Sequence, residues 1–566
     1  MADFKAFTEA FHAHFSRNPN RRVTLGVERD LGDLPDPSQT EIDARLAEAK
    51  DLLGELPAAD SFDEQLDMEL AGLMLEAEIH SDSYRFNDRT RLAQMPTAGD
   101  DIGNGIFMLF VNDPRPDAAR LEDITTRLEQ VADYVPALLA RLDTPVARWV
   151  SMDVEKVSGL GQLFDTAEAW AERVGFADRK RLKAARTRAE GALESYVSQV
   201  QALPSTRQFH LGHETARRIV DLRGIDRSFD ELLAMAKSFL ADNAATIEEL
   251  RGRLVGKYDL PKDASVEDLE KVLNQRYAVK LEDGRLESVL DRYQAERDRI
   301  LSFIRERDLF PIPADQDMVL LRTPSFLAPS IPAGAMVSPA PFRAGTKTSL
   351  VYLTLSEELL DEHTELAIPN MMIHEGIPGH HLQLATAAGH PSVIRRHMDA
   401  MDQAEGWTTR LEDYMLDVGY LSDLADEARL VGKRDINRIG ARVAIDLFFM
   451  TGDRKYLDVG VRYDESSSDP FALAGSLLTA VTGFVPGRVQ AELNWYSQER
   501  GYPLSYLTGN RLVLQLERDV AKENADGLDG LALDRRFHQV FLESGNMPVR
   551  FLRRAFEHAG LLSSAS

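Results

Sequence analysis

The sequence predicts a mainly α-helical protein with one small β element, and three features of its 566 residues point there. Apolar residues recur at helical spacing through most of residues 1–310, a proline-dense stretch breaks the pattern near Pro311, and helical spacing returns from about residue 357. The break divides the chain into an N-terminal helical region, 1–310, and a second region, 311–566, which together can form one continuous two-lobed body.

The first region opens with packing helices. In "SQTEIDARLAEAKDLLGEL", Ser38 and Glu41 have capping-box spacing, and Ile42, Leu46, Ala49 and Leu53 fall on one face. In "GRLESVLDRYQAERDRILSFIRERD" the stripe returns as Leu286, Leu290, Tyr293, Ile300 and Ile304. Pro311, Pro313, Pro324, Pro329, Pro332 and Pro339 then exclude continuous helix, so this stretch reads as a boundary or a long ordered loop. "TKTSLVYLTL" is β-branched and aromatic and predicts a strand from Ser349 to Leu355. Beyond it, "DESSSDP" and "SQERGYP" read as exposed connections and "LLSSAS" as a frayed tail.

Composition narrows the function. A chain that is 44% hydrophobic and 28% charged has an ordinary globular balance. With 66 basic against 92 acidic residues and a net charge of −26, nucleic acids and anionic membrane surfaces are disfavoured as partners. There is no cysteine, which excludes disulfides, thiol nucleophiles and thiolate metal sites, so any metal must be held by histidine and carboxylate. The start "MADFKAFTEAFHAHF" lacks a basic segment followed by an apolar run, and the expected compartment is the cytoplasm. "FALAGSLLTAVTGFV", between Pro470 and Pro486, is shorter than the roughly 20 residues that span a bilayer and reads as a buried helix. No heptad run predicts a coiled-coil dimer, which leaves the oligomeric state open.

The chemistry concentrates in "NMMIHEGIPGHHLQL", residues 370–384. The familiar zinc signature places two histidines four apart on one helix, with a glutamate as general base. Here the fourth position after His374 is Pro378. On an unbroken helix His381 would share the face of His374 but lie about 10.5 Å away along the axis, and His380 would point elsewhere. Pro378 removes a helical hydrogen bond and Gly379 permits unusual backbone angles, so a break after Ile377 is expected, able to bring His380 or His381 back towards His374. The plainer alternative is that these histidines only cap and pack around a helix end. Glu375, adjacent to His374, favours a metal or catalytic site. His363, His390 and His397 read as bystanders, and His210 with His213 as a weak pair.

Two histidines need a third protein ligand. Glu405, in "DQAEGWTTRLEDYM", follows His374 at a distance that lets one helix end and a second return alongside. Glu412, seven residues on, could orient a histidine from behind. For both, the alternative is a solvated acidic face.

"HEGIPGHHLQ", "EGW", "PLSYLTGN" and "FHQVFLESGNMPVRFL" together resemble a bacterial HEGxPGHH family catalogued as a domain of unknown function and grouped with the helical gluzincin zinc metallopeptidases. The resemblance extends over nearly the whole chain. It implies a metallopeptidase-like fold with a small β-sheet beside the metal-binding helix, and an edge strand that pairs with extended substrate. It further implies zinc held by His374, Glu405 and one of His380 or His381, with Glu375 as general base and Tyr506 stabilising an oxyanion. Two departures stand out. Relatives usually carry "EGWALYAE" where this chain has Thr408, Thr409 and Arg410, and often a histidine where it has Met450.

The expected function is zinc-dependent hydrolysis of an amide bond in a peptide or peptide-like small molecule. The alternatives are a metal-dependent enzyme acting on a non-peptide substrate, and a non-catalytic helical binding protein with a vestigial metal site.

Overall fold

The computed structural model describes residues 3–323, 334–524, 527–528 and 530–563, in which 23 α-helices surround two small sheets. Pro324, Pro329, Pro332 and the tail Ser564–Ser566 lie outside the described residues. Ser38 caps the helix Gln39–Gly54 by accepting the Glu41 amide, while the Glu41 carboxylate is drawn to Arg17 and does not close the capping box. The two-residue strands β1 (Arg85–Phe86) and β2 (Arg89–Thr90) pair as a hairpin.

The stripe from Leu286 to Ile304 forms α1 (Glu287–Arg307), with Tyr293, Ile300 and Ile304 buried. The proline-dense stretch is more ordered than its composition suggests, because it contributes β3 (Gln316–Arg322) and β4 (Gly334–Val337). Both pair with β5 (Lys347–Leu353), β3 in parallel and β4 antiparallel, in the order β3-β5-β4. The predicted strand is therefore central, and it lies two residues earlier than its composition indicates. Pairing stops where the Thr323 amide closes on the Leu353 carbonyl.

Helices resume with α2 (Ala367–Glu375), α3 (His380–Ala388), α4 (Met401–Asp417) and α5 (Ala425–Thr451). Met318, Leu320, Val351 and Leu353 of the sheet share one apolar cluster with Met372 and Ile373 of α2. The same cluster takes in Phe11 and Leu70 near the start of the chain and Phe541 near its end, so core residues from both sequence regions interlock. The run after Pro470 forms a helix, Pro470–Thr482, that buries Leu473, Leu477 and Leu478. No helix among the described residues is long and apolar enough to cross a membrane.

"DESSSDP" is largely exposed, as predicted, but "SQERGYP" is not: Ser497, Gln498, Arg500, Gly501 and Pro503 are buried. A polar connection can be buried when its backbone finds partners. Here the Gly501 and Leu504 amides donate to the carboxylate of Asp446, a fully buried residue of α5. This turn leads directly into α6 (Ser505–Glu523), and α7 (Gly530–Glu543) follows.

Candidate metal centre

The break at Pro378 sets the geometry. α2 ends at Glu375, Gly376 leaves the helical region at φ −97°, ψ −124°, and α3 begins at His380. Only glycine fits at 379, because a Cβ there would lie 1.9 Å from the His374 carbonyl oxygen. Trp407 of α4 fastens the break by donating its indole N–H to the Pro378 carbonyl at 2.9 Å. As a result the His374 and His380 rings stand edge to face, with centroids 5.0 Å apart.

Glu405 completes the group from α4. Its Oε2 lies 3.7 Å from His374 Nε2 and 3.6 Å from His380 Nε2, and one ligand atom from each of the three residues lies within 4.8 Å of the others. These separations exceed hydrogen-bond distance. They approach the ~3.4 Å that separates ligand atoms around a tetrahedral zinc with ~2.1 Å bonds. Glu405 Oε2 is buried with no hydrogen-bond partner, as is His380 Nδ1. Such a carboxylate oxygen needs a compensating positive group, and the two-nitrogen, one-oxygen donor set suits zinc or a similar divalent ion.

Glu412, about two turns beyond Glu405 on α4, reaches the far side of His374. Its Oε1 is 2.8 Å from His374 Nδ1. A carboxylate only accepts, so Nδ1 carries a proton in either charge state of the ring, and Nε2 is the nitrogen turned to the group, free to bind an ion once it sheds its own proton. Burial lowers the His374 pKa, but Glu412, Glu375 and Glu405 outweigh it and bring the net value to about 9. Burial likewise raises Glu405, but the neighbouring His380 and His374 imidazoles hold it below its ordinary value.

His381 belongs elsewhere. Adjacent helical residues point about 100° apart, and this one faces the sheet, with Nδ1 2.8 Å from Ser349 Oγ and Nε2 2.5 Å from Gln316 Oε1. Both ring nitrogens are occupied and burial lowers its pKa to about 4, so it is a neutral tether between α3 and the strands β5 and β3. Of the two candidate second histidines, the structure brings only His380 to His374 and Glu405. His363 pairs with Tyr293, and His397 with His12, outside the group. His210 bonds the Phe449 carbonyl instead of His213.

Tyr506 reaches Glu405 because α4 and α6 cross at two glycines. A Cβ on Gly406 would meet the Gly509 carbonyl oxygen at 2.5 Å, and one on Gly509 would meet the Asp402 carbonyl oxygen at 2.0 Å. Burial, then the charge of Glu405, push the Tyr506 pKa upward, which keeps its hydroxyl protonated. The Arg442 guanidinium lies 4.4 Å from the Tyr506 ring centroid and Tyr502 packs edge-on beside it. Glu375, the last residue of α2, is half-buried beside His374.

The departures at 408–410 are absorbed in packing. Thr409 donates to the Glu405 carbonyl at 2.6 Å, and Arg410 pairs with Glu517 and His538. Met450 is fully buried, and its carbonyl accepts the Leu211 and Gly212 amides. Sequence reasoning missed the supporting roles of Asp446 and Arg442. Their signal was weak: two charged residues four apart on one face of an otherwise apolar helix end.

Residues 19–556 match a family described as bacterial protein of unknown function, DUF885. The chain belongs to this family. No curated protein matches it. A lipoprotein candidate of unknown function from Shewanella oneidensis superposes with a TM-score of 0.76 at 18% identity, covering 98% of this chain and 99% of that one. A second lipoprotein candidate, from Colwellia psychrerythraea, gives 0.77 at 15% identity over 98% of each chain. At such identities these likenesses show a common fold and nothing more.

Proposed function

We propose that this DUF885 protein is a zinc-dependent hydrolase that cleaves an amide bond in a peptide or peptide-like small molecule. The observation that carries the reading is the unpartnered Glu405 Oε2 facing two imidazole nitrogens, with the carboxylate of Glu375 next in sequence to the first. His374, His380 and Glu405 would hold the ion, which when bound supplies a Lewis acid and a water of lowered pKa. Glu375 would serve as the base that takes the proton of the attacking water as its oxygen bonds to the carbonyl carbon, and would return that proton to the nitrogen as the carbon–nitrogen bond breaks. The Tyr506 hydroxyl donates to the developing oxyanion. Glu412 keeps His374 in one tautomer throughout.

The test is zinc content by mass spectrometry together with turnover on a panel of short peptides and acyl amides, for wild type and Glu375→Gln. Near one zinc per chain, with activity lost but zinc kept in the variant, is the expected result. Full activity in Glu375→Gln would remove the general base. Zinc without activity on any amide would favour a non-peptide substrate, and no zinc uptake would favour a binding protein. The proposed compartment is the cytoplasm; the description of two structural relatives as lipoprotein candidates makes the cell envelope the alternative, and fractionation of cells decides between them.

A further inference from the structure

A cavity of about 450 Å³ opens one helical turn from Glu405, within the size range of sites that enclose small molecules. Met401 and Asp402 of α4 and Ser505 of α6 form part of its wall. Met401 shares the helix face of Glu405 at about 6 Å along the axis, and Ser505 immediately precedes Tyr506. A substrate whose amide lies between Glu375 and Tyr506 would extend into this space with its next one or two residues, at ~3.4 Å each.

The wall carries charges that the proposed hydrolysis leaves unused. Arg21, Arg91, Arg223 and Arg500 supply four guanidinium groups, against the carboxylates of Asp399, Asp402 and Glu499. None of these forms an ion pair within 4.0 Å among the described residues. Glu78 and Asp82, also in the wall, are already engaged by His14 and Arg45.

Arg500 is enclosed behind that wall, over the rings of Trp149 and Phe209. It is 5% exposed, and one terminal nitrogen donates to the Phe209 carbonyl at 2.9 Å, while Nε and Nη1 have no partner. Burial lowers its pKa to about 10, so it remains a cation at neutral pH. Arg223 donates twice to the Arg500 carbonyl and lies 5.6 Å from the Tyr502 ring, which in turn packs against Tyr506. A chain of side-chain contacts from Arg223 through Tyr502 to Tyr506 therefore joins the cationic wall to the candidate centre. Guanidinium donors in a fork are suited to a carboxylate.

We propose that this cavity binds the free terminal carboxylate of a short peptide or peptide-like substrate through Arg91 and Arg223, the partly exposed cations of its wall, so that cleavage releases residues from the carboxyl end. The direction of cleavage rests on the amide hydrolysis proposed above, but the pocket can be tested without turnover. The experiment is calorimetric titration of zinc-supplied Glu375→Gln protein with Ala-Ala-Ala as the free acid and as its C-terminal amide. The acid should bind at least tenfold more tightly. That preference should fall below about threefold when Arg223→Gln or Arg91→Gln is added; Arg91 is partly exposed and makes no ion pair, which makes its replacement compatible with folding. Equal binding of acid and amide, binding of neither, or a preference that survives in every folded arginine variant would overturn the pocket. Acid-selective binding alongside a wild type that cleaves neither peptide would instead remove the hydrolase reading and leave the pocket standing.

Discussion

Two buried clusters in this protein use the same residue types in opposite ways. At His14 the imidazole is held between two carboxylates, with Nε2 2.5 Å from Glu78 and Nδ1 3.1 Å from Glu48. Every polar atom of that ring has a partner, and the two hydrogen bonds raise its pKa despite burial. At His374 and His380 the carboxylate oxygen of Glu405 stands 3.6–3.7 Å away, beyond hydrogen-bond distance, and is left unpartnered. The first cluster is complete as a charged, hydrogen-bonded unit. In the second, a carboxylate oxygen and two imidazole nitrogens converge without a hydrogen bond between them, a spacing that a bound cation would fill.

The largest expected effect separates the two clusters directly. Glu405→Ala, His374→Ala and His380→Ala should each abolish stoichiometric zinc binding, whereas His14→Ala should leave it intact; zinc retained in Glu405→Ala would remove that residue from the ligand set. Glu412→Gln sharpens the contrast from behind the site. By weakening the hold on His374 Nδ1 it should reduce zinc affinity by roughly 10–100-fold, measured by competition with a fluorescent chelator, and an unchanged affinity would reduce Glu412 to packing.

Stability effects come next. His14→Ala should cost about 2–3 kcal/mol in urea unfolding, and His381→Ala about 1–3 kcal/mol, with zinc content unchanged in both. Loss of zinc in His381→Ala would mean that it acts on the metal centre after all. The smallest effect is a pH dependence. The folded pKa of His14 lies above its ordinary value of 6.5, so its stabilisation is fully present below about pH 6.5 and is lost as pH rises through the folded value. The stability gap between wild type and His14→Gln should therefore narrow from pH 6 to pH 9, and a gap independent of pH would show that folding leaves the pKa of the ring unchanged.

The sequence made the helical class and the site's location legible for a physical reason: periodicity and a proline within a histidine motif are local signals. A break beside Pro378, which begins at Gly376 and so two residues earlier than expected, and the return of Glu405 beside His374 follow from backbone constraints and helix length. What was not legible depended on direction. Nothing in "GHH" says which imidazole faces Glu405, because that is decided by Gln316 and Ser349, which occupy both nitrogens of His381. "SQERGYP" has the composition of a surface turn, and only the distant carboxylate of Asp446 explains its burial. The strands Gln316–Arg322 and Gly334–Val337 were hidden among prolines, because the pairing that holds them is supplied by β5.

The crossing of α4 and α6 at Gly406 and Gly509 bears on how this scaffold can change. The two backbones are in direct contact there, so no side chain can be added without forcing Tyr506 away from Glu405. Mutational drift that preserves chemistry is thus barred at the crossing and open at the cavity wall, where charges stand unpaired. A library intended to redirect specificity would keep both glycines fixed and diversify Arg91, Arg223 and Glu499.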